Sequence, residues 1–104
     1  MHKQSSHKLY VLVDRTLSTS QQAVQACHAV AEFAKKYPEW KHQSLVLLAV
    51  SNLEELDEWY YNLKISWQRE DLKVAEFFES HWDDRLTAIA AHGCDEEVKD
   101  LPLL

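Results

Sequence analysis

Two short apolar runs constrain this chain more than any other feature: Lys8–Asp14 (KLYVLVD) and Ser44–Ser51 (SLVLLAVS). Each has the length of a strand, is rich in aliphatic residues, and is bounded by polar ones, which is the pattern of a buried strand. The stretch between them is too long for a hairpin and long enough for a helix. The two strands are therefore expected to be parallel, joined by a right-handed crossover. The second run is nearly continuous, which predicts a central strand covered on both faces.

The connecting segment carries its own start and stop signals. Ser18-Thr19-Ser20-Gln21 fits a capping box, with Ser18 as N-cap, and Pro38 ends the helix near Tyr37. Ala23, Ala26, Cys27, Val30, Phe33, Ala34 and Tyr37 recur at helical spacing and predict its inward face. Many are small, so the helix can lie close to a sheet. Asn52 can cap a second helix, paired with Glu55, and Leu53, Leu56, Trp59, Tyr60 and Leu63 form its inner stripe. Lys73–Glu79 and Leu86–His92 read as two further strands, and the short polar connection between them makes them antiparallel neighbours. The expected fold is a single α/β domain of order β-α-β-α-β-β. It has a four-stranded mixed sheet with flanking helices, residues 1–7 as a flexible tail, and a helical turn after Asp95 limited by Pro102.

A chain of 104 residues suits one domain, and 46% hydrophobic with 27% charged residues is globular rather than disordered composition. Cys27 and Cys94 lie far apart without CxxC spacing, so both are expected to be free, buried thiols in a reducing compartment. The segment Met1–Lys8 is polar rather than apolar, so no signal peptide is expected; the longest apolar run is too short to span a bilayer. Those features predict a cytoplasmic protein with no membrane association. Charge is uneven. Residues 1–50 carry six basic and three acidic side chains, +3, and residues 51–104 carry five basic and fourteen acidic, −9. Bulk attraction to nucleic acid is excluded by the net −6, so any RNA must meet a local basic patch in the first half.

One constellation is specific enough to suggest a family. Tyr10-Val11-Leu12-Val13 leads through a loop into Gln22-Ala23-Val24-Gln25-Ala26-Cys27-His28-Ala29-Val30, and later come Phe77-Phe78-Glu79 and Leu86-Thr87-Ala88-Ile89-Ala90. The stretch from Lys8 to Gly93 resembles the second, archaeal and eukaryotic, type of peptidyl-tRNA hydrolase. That family has a strand, a short loop and an Ala-Ala-Gln-Cys-x-His-Ala helix; later an acidic residue ends one strand and a Thr opens the next. The resemblance implies cleavage of the ester joining a peptide to the terminal ribose of tRNA, without metal or cofactor. It implies His28, Glu79 and Thr87 as the groups that do or support the chemistry. Gln21 and Gln25 would orient substrate, with Arg15, Lys35 and Lys36 binding it. Ester hydrolysis needs an activated water and donors for the developing oxyanion, and these residue types can supply both.

The chain also departs from that pattern. Gln21 stands where the family carries Lys, Arg15 is one place off the register of the loop Arg, and the connection before Thr87 is shorter. A second function class therefore stays open: a catalytically silent domain of the same fold that binds a protein or RNA partner; under either function the chain could form a homodimer. A basic rim of Lys35, Lys36 and Lys41 with Trp40 would serve either. Adjacent helix residues point about 100° apart, so Cys27 and His28 do not make a dyad. His92 and Cys94 lack the further ligands of a zinc site, and His2 and His7 belong to the tail. Trp59 is expected in the core; Trp40, Trp67 and Trp82 fall in connections, as loop packing or as stacking surfaces.

Overall fold

A computed structural model describes residues 8–41, 44–67 and 69–104; the tail expected at 1–7 lies outside them. Strand β1 (Lys8–Asp14) leads to helix α1 (Thr19–Lys36), strand β2 (Ser44–Val50) and helix α2 (Leu53–Tyr61). A π-helical turn (Asn62–Ser66), strand β3 (Lys73–Glu79), a 3-10 turn (Ser80–Trp82), strand β4 (Arg85–His92) and a short helix α3 (Asp95–Val98) follow. The element order is the expected β-α-β-α-β-β. Both caps form as the sequence suggests. Ser18 Oγ accepts from the Gln21 N–H at 3.2 Å, and Asn52 Oδ1 from the Glu55 N–H at 2.8 Å, with Glu55 reaching back to the Ser51 N–H at 2.7 Å.

The sheet runs β2-β1-β4-β3, with β1 parallel to β2 and antiparallel to β4, and β3 antiparallel to β4. Alternation along the strands builds a core on each face. Leu9, Val11 and Val13 of β1 meet Ala26, Ala29 and Phe33 of α1 on one side. Tyr10 and Leu12 join Leu48, Val50, Leu56, Leu63 and Ile89 on the other, under α2. The small residues Ala26, Ala29, Ala75, Ala88 and Ala90 let α1 sit tightly against the sheet.

Three expectations need correction. Strand β2 is an edge strand, not a central one covered on both faces. Val46, Leu48 and Val50 face the α2 core, whereas Leu45 and Leu47 stay exposed because α1 lies over β1, β4 and β3 instead. The chain's own end closes that edge: Ala49 N–H donates to Pro102 O at 2.8 Å and Leu104 N–H to Leu47 O at 3.0 Å. Next, the inward face of α1 is rotated from the apolar stripe. Gln25 and Ala29 are buried, while Ala23 and Cys27 are exposed, because a polar side chain with a full set of partners can be buried without penalty. Last, both thiols are free, yet only Cys94 is buried. Burial pushes its thiol up to about 12.

The pairing of β3 with β4 slips once. Phe77 faces Ala88 and Phe78 faces Leu86, which leaves Thr87 as one extra residue on β4. Such a bulge breaks strict alternation. Thr87 and Ala88, adjacent in sequence, consequently both face α1, while Leu86 and Ile89 face α2.

Candidate functional site

Helix α1 runs along β3, and side chains meet across the seam in order: Gln25 with Glu79, His28 with Phe77, Lys36 with the Val74 carbonyl. Gln25 is fully buried at the centre of a polar chain. Its Nε2 donates to Glu79 Oε1 at 2.9 Å and to Gln21 Oε1 at 3.1 Å, and its Oε1 accepts from Thr87 Oγ1 at 2.5 Å. The β4 bulge aims the Thr87 hydroxyl into this network. These partners lie 54 and 62 residues from Gln25 in sequence.

The direction of each bond follows from one charge. An ionised carboxylate only accepts, so Gln25 must turn its NH2 toward Glu79 and its carbonyl toward Thr87. The Thr87 hydroxyl then has one proton and gives it to Gln25; the Phe77 carbonyl, at 3.5 Å, is the weaker alternative. The same logic orients Gln21. Its carbonyl is taken by Gln25, leaving its NH2 to point elsewhere.

Glu79 ends β3 and gathers three contacts at one carboxyl group. Besides Gln25 it accepts the His81 backbone N–H at 3.2 Å and sits 3.1 Å from His81 Nδ1, both on Oε2. It thereby caps the 3-10 turn Ser80–Trp82. The bond from Gln25, then those from the His81 ring and backbone, hold its carboxyl down to about 2. Past the turn, Asp83 and Asp84 take left-handed backbone angles, φ 55° and 56°, a conformation that Asp tolerates better than most residues.

The expected site residues separate into four places. Gln21, Gln25, Glu79 and Thr87 form one connected group. Thr87 is fully buried, so its hydroxyl acts on Gln25 and Gln25 acts on Glu79. His28 lies beside this group but outside its hydrogen bonds: its exposed ring stacks flat on Phe77, centroids 4.2 Å apart and planes 7° apart. Lys35 and Lys36 belong to the far end of α1, about 16 Å along the helix from Gln25 to Lys36. There they line a hollow of about 310 Å³ with Glu32, Ala75 and Glu76. Arg15 is exposed in the loop after β1; its carbonyl accepts from Gln22 Nε2 at 3.0 Å, and its charge acts on Glu55.

Among the tryptophans, Trp40 packs edge-on against Phe33 and Trp67 edge-on against Trp59, so both are packing residues. Trp82 is 37% exposed in the 3-10 turn. Sequence reading missed His81 in that same turn. The signal was present: an acidic residue closing a strand two places before a histidine can cap the turn that carries it. Among the described residues no three His, Cys, Asp or Glu side chains converge to hold a metal ion, and no helix is long and apolar enough to cross a membrane. No family model matches the chain, and no curated protein matches it closely enough to count as a relative.

Proposed function

We propose that this domain hydrolyses the ester of peptidyl-tRNA or a related aminoacyl ester, with the reacting bond placed at the Glu79 end of the α1–β3 seam. One observation carries the reading. Gln21 and Gln25 on the helix, Glu79 at the end of one strand and Thr87 near the start of the next, all marked by the resemblance, converge on one hydrogen-bonded group, with His28 beside it. An ester carbonyl lying there would find the NH2 of Gln21, which no hydrogen bond among the described residues engages, as a donor for its developing oxyanion, in the place a family Lys would occupy. The seam continues past His28 to Lys35 and Lys36, whose ammonium groups suit phosphates of an RNA strand while its terminal ester reaches Glu79. Stacking of His28 on Phe77 presents a flat aromatic pair between the two ends, a platform suited to a base.

A second reading has its own support. Gln25 is enclosed, and Gln21 gives its carbonyl to it, which is also what a purely structural polar network requires. In that reading the seam binds an RNA or protein partner without cleaving it.

The test is cleavage of N-acetyl-aminoacyl-tRNA by the purified protein. The hydrolase reading expects release of N-acetyl-amino acid above the rate of spontaneous hydrolysis. Reversing Lys35 and Lys36 to Glu should then lower kcat/KM by about tenfold and flatten its dependence on salt, because fewer counterions are released. Cleavage at background rate, with tRNA still bound, would leave the binding reading in its place.

A further inference from the structure

We propose that His81, not His28, is the general base of this site. The inference rests on the hydrolase reading above and adds to it the group that activates water. A general base on a histidine needs a ring nitrogen with a free lone pair, access to substrate, and a partner that fixes the ring. His81 has all three. Nδ1 lies 3.1 Å from Glu79 Oε2, and since the carboxylate only accepts, Nδ1 carries the proton, so that in the neutral ring the lone pair is on Nε2. The side chain is 88% exposed, which leaves the ring open to water and to a substrate.

The ring contact is additional to the turn's own needs. The backbone N–H of His81 already satisfies the capping role of Glu79, and any residue but proline at that position would supply it. What a histidine adds is an imidazole oriented by the carboxylate that Gln25, and behind it Thr87, holds in place. This is a relay of three positioning residues ending on one base. His28 has access, yet among the described residues no hydrogen bond fixes its tautomer, and its ring stacks on Phe77.

The chemistry balances without any other reagent. Nε2 takes a proton from water as the water oxygen bonds to the ester carbonyl carbon, whose π electrons move to the oxyanion. The neighbouring Glu79 charge stabilises the imidazolium formed. Collapse of the tetrahedral intermediate breaks the carbon–oxygen bond to the ribose, and the Nε2 proton passes to the departing ribose oxygen. One ester and one water become one acid and one alcohol.

The test compares wild type, His81→Ala and His28→Ala on N-acetyl-aminoacyl-tRNA, with circular dichroism to show that each is folded. The proposal expects wild type to cleave and His81→Ala to lose about 100-fold in kcat with KM little changed. Added imidazole should restore part of that loss, and His28→Ala should fall mainly in KM. If wild type cleaves and His81→Ala matches it, or loses activity that imidazole does not restore, His81 is not the base and the hydrolase reading survives alone. If wild type does not cleave, both fall together.

Discussion

At the scale of single residues, Gln25 explains more than any other position. It breaks the apolar stripe of α1, and read by pattern alone it belongs on the outside. The structure buries it because all its polar atoms are met: two acceptors for the NH2 and one donor for the carbonyl. What the sequence could show was the spacing that sets Gln25, His28 and their neighbours on one helix. What it could not show was partnership with residues more than fifty positions away. The charge on Glu79 organises the network, and its acidity is testable. A carboxyl held from 4.5 down to about 2 contributes stability that is fully present above pH 4.5 and is lost as pH falls toward 2. Unfolding measured across that range should show wild type and Glu79→Gln converging as pH drops, and differing above pH 4.5. Parallel curves throughout would mean that Glu79 titrates alike in the folded and unfolded chain.

At the scale of elements, caps and periods were legible and neighbourhoods were not. Ser18 and Asn52 start their helices because short polar side chains meet nearby backbone N–H groups, an interaction local enough to read directly. The place of β2 in the sheet is a global outcome. An apolar run looks the same whether both faces are covered or one is bare, and here the far edge is closed by residues 102–104. Thr87 was marked by resemblance, but the bulge that turns it toward α1 depends on a register with β3 that no local pattern encodes. The fit of α1 against the sheet makes a separate prediction. Ala29 is fully buried where helix and sheet approach, whereas Ala31 is exposed on the same helix. Ala29→Leu should destabilise by about 1–3 kcal/mol through overpacking. Ala31→Leu should stay within about 0.5 kcal/mol. Urea unfolding midpoints of the two variants decide it, and equal midpoints would show that the seam has slack.

At the scale of the whole molecule, charge and shape assign different tasks to the two halves of the chain. The net-positive first half contributes α1, its lysines and the loop around Arg15. The acidic second half contributes Glu79, the turn that carries His81, and the bulged strand behind them. The halves meet along the β1–β4 pairing and along the α1–β3 seam, and the proposed chemistry lies at the Glu79 end of that seam. The most direct measurement is single-turnover cleavage of N-acetyl-aminoacyl-tRNA at saturating protein, wild type beside Glu79→Ala. Saturation removes differences in binding, so the rate reports the bond-breaking step. Wild type should cleave and the variant should lose about 100-fold or more, since the carboxylate both holds the histidine and stabilises its charge. Equal rates for the two proteins, or no cleavage by either, would contradict the proposed chemistry.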